Sequence, residues 1–369
     1  MVSLSQVTNS VFHDFADQDA RFKRAFAVLD AAIGQAAFPG AAVAIVDRGR
    51  LVALKGCGNF TYEPKAPKVT PQTVYDLASL TKVLATTAAC MVLYERGAFL
   101  LEQKIVEVLP EFAGSDQRRA LVTFQMLLAH SSGLPAYLRL FETAQNKADL
   151  VAAALRVPLA SDPGSRLEYS DIGFIVLGTA LERITHEPLE ELCEREIFAK
   201  LGLNFVTYRP PFAWLPLIPP TEDDRTFRHR RVRGEVHDEN AWVMGGVAGH
   251  AGCFGDVEAV ASFGHCTLNG GAPLFQRHTV DLFTRRQSTP ADTSRALGWD
   301  TPSSPSQSGK YFSRRSYGHL GYTGTSLWND PDRQLSVTLL TNRTWPDRSS
   351  AAIKQVRPAF HDAVVEALG

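Results

Sequence analysis

The sequence predicts a mixed α/β (α+β) protein in which an antiparallel sheet, flanked by N- and C-terminal helices, is interrupted by an all-helical insertion. Three observations carry this expectation. Strand-like apolar runs occur near both ends of the chain, at Ala41–Val46 and Leu51–Leu54 and again at Ser326–Trp328 and Leu335–Leu340. Between them apolar residues recur at helical spacing. The chain has 369 residues, 45% hydrophobic and 21% charged, which is enough for two domains or for one domain with a large insertion. Strands at both ends around a helical block imply a sheet built from both termini. The expected boundaries are residues 1–100 and 225–369 for the sheet domain and 101–224 for a mainly helical domain, with the active site at their interface.

The elements follow in order. From Val11 to Gln35, Phe15, Phe22, Phe26, Leu29 and Ile33 recur at helical spacing, and Phe38-Pro39-Gly40 ends the helix. Ala41–Val46 and Leu51–Leu54 flank Asp47-Arg48-Gly49-Arg50, where Gly49 accepts positive φ, so the pair reads as a β-hairpin. Residues 83–97, VLATTAACMVLYERG, are apolar around most of a helical circumference and predict a buried helix. Helices are expected at Phe124–His130, Ala148–Val157, Asp171–Thr185 and Leu189–Leu201. Five prolines between Pro210 and Pro220 then close the helical block. Asn329-Asp330-Pro331-Asp332 is a turn between the two late strands, Thr301–Gly309 a surface loop, and Ala351–Leu368 a closing helix.

Composition narrows the function. Lys plus Arg at 38 balance Asp plus Glu at 39, a net charge of -1, so neither nucleic acid nor an anionic membrane is an expected partner. Cys57, Cys90, Cys193, Cys253 and Cys266 are widely spaced and form none of the close pairs of zinc or redox motifs. Free thiols, together with a start that lacks a basic and then apolar pattern, predict a cytoplasmic protein. His237, Asp238 and His250 lack helical metal-ligand spacing, so no metal is expected. GGVAGHAGCFG is not followed by Gly-Lys-Ser/Thr and predicts a close-packed loop at the cleft rather than a phosphate cradle. RHRRVR at Arg228–Arg233 sits beside TEDD and neutralises itself, and no Gly-x-Ser-x-Gly elbow occurs. No cofactor is implied, and the oligomeric state is left open.

The chemistry starts at Ser79-Leu80-Thr81-Lys82. Residues i and i+3 share a helix face, so the Ser79 hydroxyl and the Lys82 amine can meet. A buried amine can accept the proton of an otherwise weak nucleophile. Alone the motif is unspecific, since a chain this long shows about one such spacing by chance. Its company is specific: LLAHSSGLP at 127–135, PGSRLEYSD at 163–171 and GHLGYTGTSLWNDP at 318–331 follow in that order.

With these motifs the chain resembles the penicillin-recognising serine hydrolases, that is, the class C β-lactamases, the DD-peptidases and the related esterases. Their marks are Ser-x-x-Lys, Tyr-x-Asn and Lys/His-Thr-Gly. The resemblance runs from Phe38 to Trp345, and VHDENAWVMGGVAGHAGCFG at 236–255 is similar to a bacterial branch of that group. It implies a β-lactamase/transpeptidase-like fold, with Ser79 as acylated nucleophile, Lys82 as its proton partner and Tyr169 as second member of the base pair. His319-Leu320-Gly321 would replace Lys-Thr-Gly on the strand edging the cleft. Gly321 would let substrate lie against the backbone, the N–H groups of Ser79 and Tyr322 would form the oxyanion hole, and Thr323 would contact substrate.

Two departures shape the expected substrate. Asp171 stands where the family has asparagine, and a carboxylate near Lys82 favours the ammonium and shifts the base role to Tyr169. The alternative is that Asp171 caps the following helix. Leu320 and His319 replace a hydroxyl and a fixed charge, which weakens recognition of an anion and predicts a carboxylesterase acting on small neutral esters, with weak or no β-lactam hydrolysis. His319 is expected to titrate near neutrality. A β-lactamase or DD-peptidase acting on an amide is the nearest rival. A non-catalytic scaffold or sensor is the rival of another class, opposed by the intact Ser79, Lys82 and Tyr169.

Overall fold

The computed structural model describes residues 11–291 and 293–369; residues 1–10 and 292 lie outside the described residues. Its main sheet has six strands: β1 (Phe12–His13), β2 (Gly40–Asp47), β3 (Arg50–Gly58), β4 (Tyr317–Leu320), β5 (Ser326–Asp330) and β6 (Leu335–Thr341), in the spatial order β1-β3-β2-β6-β5-β4. All pairings are antiparallel except β1 with β3. The N-terminal hairpin turns through Arg48 (φ 48°) and Gly49 (φ 78°), the two left-handed residues that match the twist of a two-residue hairpin loop. Arg48 N–H then donates to the Gln334 carbonyl at 2.8 Å and ties this turn to the β5–β6 turn.

Side chains alternate across the sheet, and both faces are buried. Val43, Ile45, Trp328, Val337 and Leu339 join Phe22, Phe26 and Leu29 at helix α1 (Lys23–Gly34) and Phe360 and Val364 of the C-terminal helix. Ala42, Ala44, Val46, Leu327 and Leu340 face Val257, Val260 and Phe263 of a helix at Val257–Leu268 and continue into the larger core. The expected N-terminal helix starts only at Gln18 and breaks at Phe22, because Phe12–His13 pairs with β3 instead.

The buried apolar helix is α2, made of a 3-10 turn at Ala78–Leu80, a π-helical stretch at Lys82–Thr87 and an α-helix at Ala88–Glu95. Helix α3 (Asp171–Thr185) has the predicted bounds, with Ser170 as N-cap accepting from Gly173 N–H at 2.9 Å and His186 as left-handed C-cap. Within the stretch expected to be all-helical lie two short strands, Val206–Tyr208 and Glu222–Asp224. The first joins Tyr75–Asp76 and Cys253–Gly255 in a small sheet. That sheet binds the nucleophile turn to the returning chain and so positions the site. No helix of the described residues is long and apolar enough to cross a membrane.

Candidate active site

Ser79 sits on a tight, strained turn. Ala78 adopts φ 47°, a left-handed conformation that is unfavourable for a residue with a Cβ. Four contacts hold it: Ala78 N–H donates to Asp76 Oδ1 (2.8 Å), Leu77 N–H to the Cys253 carbonyl (2.9 Å), and the Thr323 and Thr325 hydroxyls to the carbonyls of Asp76 (2.8 Å) and Leu77 (2.9 Å). Strain kept by surrounding structure in this way is characteristic of functional turns. The Ser79 N–H lies in the first helical turn, where such groups lack intrahelical acceptors.

Lys82 is the hub. Its side chain is fully buried, and Nζ donates to Ser79 Oγ at 3.0 Å, to Asp171 Oδ1 at 2.6 Å and to the His250 carbonyl at 3.0 Å. Three acceptors match its three donors. Burial opposes the ammonium, but Asp171 and Tyr169 outweigh burial and raise the Lys82 pKa. Asp171 thus pairs with Lys82, and Ser170 does the capping that was the alternative role for Asp171.

Tyr169 packs beside this ammonium, with Nζ 5.0 Å from its ring centroid. Its hydroxyl lies beside Lys82 and Ser79; burial and Asp171 push the phenol pKa up, against the pull of Lys82 and Ser79. The resting site is therefore a Lys82 ammonium, an Asp171 carboxylate and a neutral Tyr169. His130, buried with φ 56°, orients Tyr169 by ring packing at 4.6 Å and by accepting the Ser170 N–H at Nδ1 (3.0 Å). Arg295 covers the Tyr169 ring, its guanidinium carbon 5.0 Å from the centroid. Sequence reasoning missed both residues; LLAHSSGLP carries His130, but nothing in the pattern marks a tyrosine-orienting role.

His319 lies on β4 with its ring 5.9 Å from that of Tyr169. Nδ1 is 2.9 Å from the Leu320 carbonyl and so carries the proton, while Nε2 is buried without a partner. Burial, then Lys82 and Arg295, hold its pKa well below the usual histidine value. The expected titration near neutrality is therefore corrected: desolvation and two neighbouring cations keep the ring neutral.

A cleft of about 1190 Å³ opens over Ser79, Tyr169, Asp171, Arg295, His319, Gly321 and Tyr322. Gly321 is required, because a Cβ there would meet Thr325 Oγ1 at 1.9 Å and the Leu77 carbonyl at 2.6 Å. Tyr322 N–H takes no acceptor among the described residues and lines the cleft with Ser79. Thr323, expected to contact substrate, is instead 1% exposed and spends its hydroxyl on Asp76; it clamps the nucleophile turn. His237 pairs with Glu222 (2.9 Å) and His250 with Asp238 (2.8 Å). Among the described residues no group of three or more His, Cys, Asp or Glu could hold a metal.

A serine on a held turn, a buried lysine within hydrogen-bond reach and a tyrosine touching both define a serine hydrolase of the Ser-x-x-Lys kind. The family described as Beta-lactamase matches residues 22–358, and the chain belongs to it. It is 32% identical over 349 residues to an N-acetylmuramyl-L-alanine amidase of Bacillus subtilis (strain 168), covering 84% of this chain and 78% of that protein. It is 34% identical over 311 residues to a putative D-alanyl-D-alanine carboxypeptidase of Salmonella agona (strain SL483), covering 74% and 70%. Among solved structures, EstCE1, a hydrolase with promiscuous acyltransferase activity, superimposes with a TM-score of 0.76 at 21% identity, over 95% of this chain and 100% of that one.

Proposed function

We propose that the protein hydrolyses its substrate through an acyl-enzyme on Ser79, and that the substrate is a polar amide of the wall-peptide kind for which the amidase and carboxypeptidase relatives are named. The observation that carries the acyl-enzyme is the contact of Lys82 Nζ and the Tyr169 hydroxyl with one serine. When the Lys82/Tyr169 pair loses a proton, Ser79 Oγ can pass its own to that pair and form the bond to the substrate carbonyl carbon. The N–H groups of Ser79 and Tyr322 receive the oxyanion. The pair returns the proton to the departing amine as the bond to it breaks. A water, deprotonated by the same pair, then attacks the acyl carbon, and the pair returns that proton to Ser79 Oγ as the bond from Oγ to the acyl carbon breaks and the acid leaves.

Cleft size supports a substrate larger than a simple ester, and charged groups such as Asp171, Glu239, Arg295 and Arg348 on its walls suit a polar one. Carboxylesterase action on small neutral esters is the second reading, favoured by the uncharged His319 and by Leu320 in place of a hydroxyl. Cytoplasmic location belongs to the same proposal, supported by five free, buried cysteines. A panel decides: an N-acetylmuramyl-L-alanine amide, a peptide ending in D-alanyl-D-alanine, chromogenic esters of graded acyl length, and a chromogenic cephalosporin. The amides should give the highest kcat/KM, with every activity abolished by Ser79→Ala. Short esters turned over far faster than either amide would establish the second reading.

A further inference from the structure

Arg357, on the C-terminal helix (Ile353–Leu368), is 5% exposed and directs one terminal nitrogen, Nη2, at two carbonyls, those of Gly321 and Thr325, both at 2.9 Å. These are the two ends of the turn from β4 to β5. Gly321 N–H closes the same turn on the Thr325 carbonyl at 2.7 Å, and Gly324 N–H adds a second donor to the Gly321 carbonyl at 3.1 Å. Among the described residues no carboxylate pairs with the guanidinium, and its Nε is buried without an acceptor. Burial and the neighbouring Arg343 lower its pKa to about 9, which leaves it a cation at neutral pH.

Bracing alone does not single this residue out, since the buried Arg119 donates in the same way to the carbonyls of Phe112, Leu155 and Val157. What differs is the carbonyl. The Gly321 carbonyl and the Tyr322 N–H are the two ends of one conjugated peptide group, and that N–H takes no acceptor among the described residues and lines the cleft with Ser79. A cation at the oxygen draws electron density away from the nitrogen, so the N–H at the far end becomes a stronger donor. The other oxyanion donor lacks this help: Ser79 N–H belongs to the peptide group of the Ala78 carbonyl, which accepts the uncharged Thr81 N–H. Arg343 donates to the next carbonyl, that of Tyr322, at 2.7 Å, so the peptide planes on both sides of Tyr322 are held.

We propose that Arg357 is a positioning residue for acyl transfer, which through the Gly321 carbonyl orients and polarises the Tyr322 N–H for the negative charge that develops on the substrate oxygen. This rests on Ser79 being the acylated nucleophile. Loss of a whole oxyanion donor slows turnover by about 10²–10³-fold, so a strengthening of about 10–30% is on that scale worth about 2- to 8-fold. Release of the turn from Arg357 adds to it.

The test compares two ligands of similar size. Phenylboronic acid is attacked at boron by Ser79 Oγ, which gives up its proton to the Lys82/Tyr169 pair, and the product is a tetrahedral anion; benzamide stays planar and uncharged. Arg357→Met should weaken phenylboronic acid binding and lower kcat/KM on an uncharged chromogenic ester by a common factor of about tenfold, and should leave benzamide binding within about twofold. Arg357→Lys, which keeps a cation, should recover most of the loss. Equal weakening of both ligands, or of neither, would mean that Arg357 only braces the helix against the turn and would overturn the proposal; so would a loss confined to an ester that carries a free carboxylate. Independently of any variant, with tyrosine and serine isotopically labelled for amide detection by NMR, phenylboronic acid should move the Tyr322 amide proton of the wild type further downfield than that of Ser79. The reverse order would overturn the proposal. An adduct that survives Ser79→Ala would overturn the acyl-enzyme reading instead.

Discussion

The Lys82 ammonium lies 2.6 Å from the Asp171 carboxylate, at a position where the related hydrolases carry asparagine. Asp171 raises the pKa of Lys82 and of Tyr169 together. The group that accepts the serine proton therefore exists only after a proton leaves a pair whose affinity for it is high. Activity should rise with pH on the alkaline side. Asp171→Asn removes the negative charge, so that proton should leave at lower pH: kcat/KM against pH should shift its rising limb down by about one unit or more. An unmoved limb would show that the carboxylate does not set the base.

The same pair supports the fold. Asp171→Ala leaves a fully buried ammonium without its counter-charge and should lower stability at pH 7 by about 3–5 kcal/mol. Because the folded-state pKa of Lys82 lies above its unfolded value, this contribution is complete below about pH 10 and lost as pH rises through the folded value. Urea unfolding of the wild type and the variant should show the gap at pH 7 and its narrowing in strong alkali.

Lys82→Ala and Tyr169→Phe should each lower turnover by about a hundredfold to ten-thousandfold, and the double variant should be little worse than either. Groups that work on one proton are not additive. Losses that multiply in the double variant would assign the two residues to separate steps.

His319→Lys places beside Lys82 and Arg295 a group whose ordinary pKa lies about four units above that of histidine. It should lower the pKa of Tyr169 and bring the rising limb to lower pH, whereas the wild-type profile should carry no histidine limb near 6.5, the ordinary value. Profiles on an uncharged substrate test both; a wild-type limb at the ordinary value that vanishes in the variant would mean that His319 titrates after all.

Asp256 caps the helix Val257–Leu268 by accepting the Ala259 N–H at 2.8 Å, and burial pushes its carboxyl up to about 6. A folded-state pKa above the unfolded one means that stability is lost as pH rises between them, from about 4 to about 6. Asparagine caps equally well without the charge. Asp256→Asn should melt a few degrees higher at pH 7.5 and show no advantage at pH 4; equal melting at pH 7.5 would contradict the prediction.

What was legible in the sequence was local. Gly49 marked the hairpin, and the apolar period from Asp171 to Thr185 gave the bounds of α3, because turn conformation and helix periodicity are written in adjacent residues. Ser79, Lys82, Tyr169 and Asp171 could be picked out by motif, and the structure brings all four together. The third acceptor of Lys82 is a backbone carbonyl, that of His250, and any residue type provides one. Arg295 and His130 act through packing against Tyr169 across more than a hundred and about forty residues of chain respectively, separations over which no local pattern is left. Thr323 was misplaced because it lies in the turn between β4 and β5, where no side-chain period applies and its hydroxyl reaches the Asp76 carbonyl.

The order of the main sheet bears on how the molecule is made. β2 pairs with β3 on one edge and with β6 on the other, and β6 ends at Thr341, so that second edge of the N-terminal hairpin has nothing to pair with until the chain has been synthesised through Thr341. At about 5–20 residues per second that wait lasts on the order of fifteen seconds to a minute. During it, the Val43 and Ile45 side of β2 presents unpaired N–H and C=O groups of the sort that recruit other nascent chains. For this protein, then, crowding on the polysome is a hazard placed at one identifiable edge, and a ribosome-bound chaperone would find its client sequence at residues 40–47.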